Sequence, residues 1–386
     1  MAREDYTAEC LQQTLDCGSS HDGPAMVMIV DDEVCSANGT VVSSDEAFVI
    51  VAPEPDPDGE HCQWFAFRCV DDEREGGLLR LDTQAMTWPE ALDEYEVFAS
   101  FDNKPWRRIG AVYSEDDERL DWWQPEGVRE ARYALWEPYT PSRRRRLLAR
   151  MRRAHGASVI ELGQSLDGEP IEAVRLGGGE QVCWVIARQH PGEVMAEWFA
   201  EGMIERLADS ADPVARAVRR LATVVVVPCV NIDGATRGHH RVNAAGVDLN
   251  RSWIDADERA PEVIAVRSAI EQTGVGYFLD VHGDERTERA FAARDEGNPS
   301  YSEQIAALET RFVDRLDELW PAFDRESGYP LDAPGEGDLR CAANYVGERF
   351  GCPALTIELP FKRWTSRDAR RFGHASVEAL LAAIEP

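Results

Sequence analysis

The chain has 386 residues, enough for two domains with separate cores. Hydrophobic residues make up 44% of it and 11 are tryptophan, which excludes a disordered chain. A formal net charge of −30 excludes nucleic acid and anionic membrane as general partners, because a surface of that sign repels both.

The N-terminal stretch MAREDYTAECLQQTLD carries charge and no apolar h-region, so no signal peptide is expected there. No run approaches the roughly 18 unbroken apolar residues that a membrane span requires. Nine cysteines are scattered, odd in number and without CxxC spacing, so we expect reduced thiols in a cytoplasmic protein. Lysine occurs only at Lys104 and Lys362. Excess acid with almost no lysine fits a salt-rich cytoplasm, where screening shortens repulsion. GC-rich coding explains arginine in place of lysine equally well.

Residues 1–22 form a polar start. From 25 to 138, short β-like runs recur: 25–30, 47–52, 62–70, 78–83, 95–102, 107–113 and 131–137. Acidic, Gly and Pro punctuation such as PEPDPDGE separates them, which predicts an antiparallel β-sandwich. His21 and His61 read as surface or structural residues. The acidic runs lack the spacing of a calcium loop and read as solvated.

The stretch EPYTPSRRRRLLARMRR (137–153) marks the boundary between domains 1–138 and 139–386. Ser142 is the expected helix cap. Leu147, Leu148 and Met151 are expected inward, with the guanidinium groups outward. Strand and helix then alternate. A strand at 170–175 ends in the glycine run LGGGE, expected as a hairpin turn because no Gly-Lys-Ser/Thr follows. Further strands are predicted at 182–187, 223–230, 276–281 and 353–359. Helices are predicted from 194 to about 208, over Val214, Val218 and Leu221, at 261–272, at 300–320 and at the end of the chain. This is an α/β domain with a mixed, mostly buried sheet.

In such sheets function gathers beyond the carboxyl ends of strands. The stretch VCWVIARQHPGE ends a strand with His190 and Glu193, three apart, where a helix begins. That spacing lets both side chains face one metal ion. Taken alone it is equally a polar turn with a solvated glutamate. Later strand ends add Asn231-Ile232-Asp233-Gly234, then His282 in LDVHGDE, then Glu358 inside an apolar strand. A carboxylate in a buried strand is costly unless paired, protonated or working. Glu358 alone could pair with Lys362 or Arg363, but beside two histidines and a glutamate it reads as working. Two His and one Glu leave an open fourth position on zinc for water.

The ordered motifs HPGE, NIDG, RGHHRVNAAGVDLNRSW, DVHGDE and TIELPFK resemble the metallocarboxypeptidase family. The wording DLNR, HGDE and TIELPF is similar to its cytosolic carboxypeptidase-like branch, whose N-terminal β-sandwich QWFAFR and PYTPSR also resemble. The resemblance implies a zinc carboxypeptidase domain with a mixed eight-stranded-type sheet flanked by helices. It implies one zinc ion held by His190, Glu193 and His282, with Glu358 as general base. It further implies that Arg241 steadies the oxyanion, that Asn250 and Arg251 grip the terminal carboxylate of a peptide or protein substrate, and that Asp248 orients a zinc-ligating histidine. His239 and His240 read as loop residues and His374 as structural. Tyr329 and Tyr345 are candidates for the family's mobile tyrosine, and Ala343 and Asn344 for the floor of the side-chain pocket. The branch removes acidic C-terminal residues, and Arg340, Lys362 and Arg363 could supply a basic pocket here. The rival readings are a zinc N-acyl amino acid deacylase, which also binds a carboxylate, and a metal-free binding protein.

Overall fold

Alternating apolar residues in the first part of the chain pair into two five-stranded sheets. The computed structural model describes residues 27–29, 36–44, 48–325 and 328–385. His21 and the polar stretch 1–22 lie outside them, as does part of the 25–30 run. The described chain clusters into two units, one running to Pro138 and including Ala235–His240, the other made of Tyr139–Gly234 and the residues from Arg241 onward.

In the first unit the strands are β1 (Val27–Ile29), β2 (Thr40–Ser44), β3 (Phe48–Ala52), β4 (Ala66–Val70), β5 (Gly77–Asp82), β6 (Glu96–Phe101), β7 (Arg107–Gly110), β8 (Val112–Ser114), β9 (Arg119–Gln124) and β10 (Glu130–Ala134). One sheet has the order β1-β4-β10-β6-β7, the other β2-β3-β5-β9-β8. Phe67 of one sheet and Trp122 of the other meet with ring centroids 6.1 Å apart, and Tyr133 packs on Trp122 at 5.5 Å. Burying each such ring contributes about 1.5–3 kcal/mol. Among the described residues the ladders of this unit are antiparallel except one, since β3 and β5 pair parallel. Two strands are absent from the sequence prediction, β2 and β9. In β9, Asp121 and Gln124 interrupt the apolar alternation, yet both are buried, and Asp121 is held by Arg80 at 2.7 Å. Segment Ala235–His240 belongs to this unit because Asn38 Nδ2 donates to the Gly238 carbonyl at 2.9 Å and the His240 amide to Asp56 at 2.7 Å.

The second unit begins with helix α1 (Pro141–Met151), followed by β11 (Ala157–Gln164), β12 (Pro170–Gly177), β13 (Gln181–Ala187), α2 (Val194–Ala208), α3 (Pro213–Leu221), β14 (Ala222–Val227) and α4 (Ile232–Arg237), whose residues from Ala235 on belong to the first unit. Then come α5 (Pro261–Thr273), β15 (Tyr277–Asp284), β16 (Ala290–Ala293), α6 (Glu303–Leu319), β17 (Phe323–Asp324), α7 (Ala342–Phe350), β18 (Ala354–Pro360) and α8 (Ser366–Ile384). The eight strands form one mixed sheet in the order β11-β12-β14-β13-β15-β18-β16-β17. Its centre, β14-β13-β15-β18, is parallel. That is why β14 and β15 read as unbroken buried runs.

Three local expectations are corrected. The cap of α1 is Thr140, whose hydroxyl accepts from the Arg143 amide at 3.1 Å, not Ser142. Leu147, Leu148 and Met151 are buried as expected, but so is Arg144, bidentate to the fully buried Glu197 at 2.6 and 3.0 Å. The LGGGE turn does not join paired neighbours, because β14 lies between β12 and β13. Its glycines serve close approach instead: a Cβ on Gly179 would come within 2.0 Å of the Leu221 backbone.

Candidate metal centre and active site

Strand β13 ends at Ala187, and Arg188 turns the chain with φ +59. Its buried guanidinium fixes the turn, donating to the Pro191 carbonyl at 2.9 Å and to Glu197 at 2.6 Å. Asn231, after β14, braces the same turn through its Nδ2 bond to the Gln189 carbonyl at 3.0 Å. The chain thus delivers His190 and then Glu193, which starts α2. His282 comes from the carboxyl end of β15, and Glu358 lies opposite it in register on β18.

His190, Glu193 and His282 are buried, and one ligand-capable atom of each lies within 4.8 Å of the others. Both imidazole Nδ1 atoms face the Glu193 carboxylate, at 2.6 Å from His190 and 2.7 Å from His282. The opposite ring edges are held by separate carboxylates: His190 Nε2 lies 3.1 Å from Asp248 and His282 Nε2 2.9 Å from Asp280. Each ring therefore has a partner that fixes its tautomer with Nδ1 turned to the centre. Two imidazoles and a carboxylate converging in a buried pocket are a donor set that fits a zinc ion. Burial works to raise the Glu193 carboxyl, but the two imidazoles outweigh it and hold it well below the usual range. Burial also opposes ionisation of Asp248, and His190 and Arg241 overcome it.

Glu358 is buried beside this centre. Its Oε1 accepts from the Tyr329 hydroxyl at 2.7 Å, while Oε2 has no partner. Burial pushes the Glu358 carboxyl up to about 8, against the pull of His282. Arg241 donates from Nε to the second oxygen of Asp248 at 2.8 Å. Asn250 turns its amide nitrogen to His282 Nε2 at 3.2 Å, and its Oδ1 accepts from the Ala342 amide at 2.8 Å. The exposed Arg251 rests Nη1 on the Asn250 carbonyl at 2.8 Å and on Cys341 Sγ at 3.3 Å.

Residues 146–365, more than half of the chain, match the zinc carboxypeptidase family, and residues 30–135 match the cytosolic carboxypeptidase N-terminal domain. The chain belongs to the zinc carboxypeptidase family. A metallo-carboxypeptidase from Burkholderia cenocepacia superposes with TM-score 0.88 at 33% identity, covering 93% of this chain and 99% of that one. A metallo-carboxypeptidase from Pseudomonas aeruginosa, in complex with (2-guanidinoethylmercapto)succinic acid, gives TM-score 0.87 at 35% identity, covering 92% and 98%. An uncharacterized protein of Zymomonas mobilis is 35% identical over 93% of this chain and 97% of its own length. Mouse cytosolic carboxypeptidase 6 is 28% identical over 39% of this chain, a match that spans only 31% of that protein.

In this metallocarboxypeptidase His190, Glu193, His282, Asp248, Arg241, Asn250 and Glu358 lie in one cluster, while Arg251 contacts Asn250 and Cys341 and none of the metal-ligand candidates. Glu358 pairs with neither Lys362 nor Arg363: its Oε1 takes the Tyr329 hydroxyl and its Oε2 has no partner, while Arg363 pairs with Glu288 at 3.0 Å. Asn231 and Asp233 are structural: Asp233 receives the Ser165 hydroxyl at 2.7 Å. Of the two candidate tyrosines, Tyr329 reaches Glu358, whereas Tyr345 packs tilted against Trp253 at 5.9 Å and under Arg267. His239 and His240 follow α4 in a loop, and His374 sits within α8.

Sequence reasoning missed Asp280 and Gln189. Gln189 Nε2 donates to the same Asp280 oxygen that holds His282, at 2.7 Å, and its Oε1 accepts from Trp253 Nε1 at 2.8 Å. A signal existed for Asp280: residues two apart on a strand share a face, so position 280 had to stand beside His282. Among the described residues six cysteines are free thiols, and no helix is long and apolar enough to cross a membrane.

Proposed function

We propose that this chain removes the C-terminal residue of peptides or proteins by zinc-dependent hydrolysis, with the catalytic groups in residues 139–386 and a separate domain in 1–138. The observation that carries the reading is the convergence of His190, Glu193 and His282 beside a buried carboxylate with an unpartnered oxygen. His190, Glu193 and His282 would hold one zinc ion, whose Lewis acidity would make water a nucleophile near neutral pH. Glu358 accepts the proton of the attacking water at Oε2 and returns it to the leaving amine. Arg241, fixed by Asp248, presents its cation to the developing oxyanion, so it acts mainly in the transition state. Asn250 and Arg251 take the terminal carboxylate, and a planar guanidinium there favours a free C-terminus over an internal peptide. The cytosolic names of several relatives and the free thiols support a cytoplasmic site of action.

We further propose that acidic C-terminal residues are preferred. The support is the branch resemblance and the cations Arg340, Lys362 and Arg363. Arg340 and Arg363 already hold Asp338 and Glu288, so substrate must draw them from those partners. The dicarboxylic acid bound by the Pseudomonas relative also carries a guanidino arm, so the test must include basic residues.

The experiment is a panel of acyl amino acids, blocked dipeptides and blocked tripeptides differing only in the last residue, assayed with zinc-loaded wild type and Glu358→Gln. Release of one C-terminal residue, lost on substitution of Glu358, is expected. Cleavage only of acyl amino acids would favour the deacylase reading. An unchanged rate in the variant would refute the mechanism. A preference for C-terminal Leu, Phe or Arg over Glu would end the acidic proposal alone.

A further inference from the structure

Arg241 and Asp248 meet at 2.8 Å although six residues separate them, so the chain must double back between them. The residue that closes this loop is Asn243, which is fully buried. Its Oδ1 accepts from the Ala245 amide at 2.9 Å and the Val247 amide at 3.0 Å. Its Nδ2 donates to the Arg259 carbonyl at 2.7 Å and to Glu262 at 3.2 Å. Its backbone adds two bonds across the same turn, donating to the Val247 carbonyl at 2.9 Å and accepting from the Gly246 amide at 3.1 Å. A carboxamide has two donor hydrogens and two acceptor positions, and here all four are used. Asparagine commonly folds onto its own backbone in exposed turns. This one is instead sealed between the turn and the start of α5, where nothing but protein can satisfy it.

We infer that Asn243 is a positioning residue for the metal centre. Its carboxamide is the template on which residues 241–248 close, and that closure sets Asp248 against His190 and Arg241 against Asp248. Loss of the template frees the loop to open, and His190 loses the carboxylate that orients its ring. Groups that orient a metal-ligating histidine typically affect metal affinity about 10–100-fold. This inference rests on the zinc-site reading of His190 given above, and concerns a residue that touches neither metal ligand nor substrate.

The test measures zinc affinity by competition with a chromogenic chelator, together with kcat/KM on a blocked tripeptide, in the full chain at 25 °C. The variants are Asn243→Ala and Asn243→Asp, and thermal melts of the zinc-free proteins accompany them. Asn243→Ala is expected to bind zinc about tenfold or more weakly and to lose kcat/KM by at least that factor. Asn243→Asp keeps the two acceptor bonds to the turn but sets a carboxylate oxygen against the Arg259 carbonyl, so, assayed at pH 6 beside wild type, it is expected to lose less zinc affinity than Asn243→Ala. Glu262, held at about 7 chiefly by burial, is protonated there and can donate to the new carboxylate. A purely structural asparagine would lower the melting point and leave zinc affinity of the folded chain unchanged, and that result overturns the inference. Equal losses in both variants overturn it too. A wild type that binds zinc, depends on Asn243 for doing so, and releases no C-terminal residue sinks the peptidase proposal while this inference stands.

Discussion

His282 and Asp280 stand two residues apart on one strand, and the imidazole Nε2 meets the Asp280 carboxylate at 2.9 Å. The same carboxylate oxygen takes Gln189 Nε2, which is tied through its own oxygen to the Trp253 indole. The second ligand candidate is thus oriented by an interior chain of bonds, whereas His190 is oriented by Asp248 from a loop. Asp280→Asn keeps the side-chain volume and removes the charge. Zinc affinity is expected to fall about tenfold or more, because the ring loses a carboxylate that raises its basicity. Chelator competition measures this, and an unchanged affinity would show that Asp280 is merely buried ballast.

Tyr329 donates to Glu358 at 2.7 Å, and a donor to a carboxylate favours its ionised form. Burial and nearby Glu193 push the Glu358 carboxyl up, to about 8 in the chain without metal, and a bound dication lowers it. A general base must be ionised, so kcat/KM should rise with pH along a one-proton acid limb. Tyr329→Phe removes the stabilising donor, so its limb should move to higher pH while the plateau changes less. A limb that stays in place or moves to lower pH would separate Tyr329 from proton transfer.

How much of this site was legible depended on whether the signal was local. His190 and Glu193 showed because strand, turn and helix follow each other without a gap. Glu358 showed because a carboxylate interrupts an otherwise apolar strand. Asp280 was hidden by the same logic reversed, since His282 two residues on drew attention away from its neighbour on that face. Tyr329 sits in a loop, where spacing along the chain says little about position in space. The glycines of 177–179 announced a turn correctly, but which strand lies beside β12 is decided by β14, 45 residues after Gly177 at its first residue Ala222, and no local pattern carries that. Arg144 looked like a solvated cation because its partner Glu197 is 53 positions away.

Glu262 stands at the start of α5 with no exposed surface, and burial raises its carboxyl from an ordinary 4.5 to about 7. Its Oε1 has no partner, while Asn243 donates to Oε2. Below pH 4.5 the group is protonated whether the chain is folded or not. As pH rises from 4.5 to 7 the unfolded carboxyl ionises while the folded one keeps its proton, so the stability it contributes declines and is lost above 7. Glu262→Gln removes this dependence. The variant should match wild type near pH 4.5 and exceed it by about 3 kcal/mol at pH 8. Thermal melts across that range read the difference directly, since other titrating groups cancel between the two proteins. A difference that is constant with pH would place the Glu262 carboxyl in its ordinary range.

The charge of −30 on 386 residues, with Lys104 and Lys362 as the only lysines, has a measurable consequence. Like charges at this density oppose compaction, and added salt screens them over about 10 Å at 0.1 M and about 3 Å at 1 M. Salt also weakens exposed ion pairs, but those contribute little, about 0–1 kcal/mol each. The buried pairs, such as Arg144 with Glu197, are screened far less. Repulsion should therefore be the term that salt changes most. We predict that the melting temperature rises as NaCl goes from 0.1 to 2 M. Each kcal/mol recovered corresponds to about 2–4 °C for a domain of this size. A neutral osmolyte at matched osmolality separates screening from general exclusion effects, and should give a smaller rise. A melting point that falls with NaCl would exclude adaptation to a salt-rich cytoplasm and leave GC-rich coding as the reason for arginine in place of lysine.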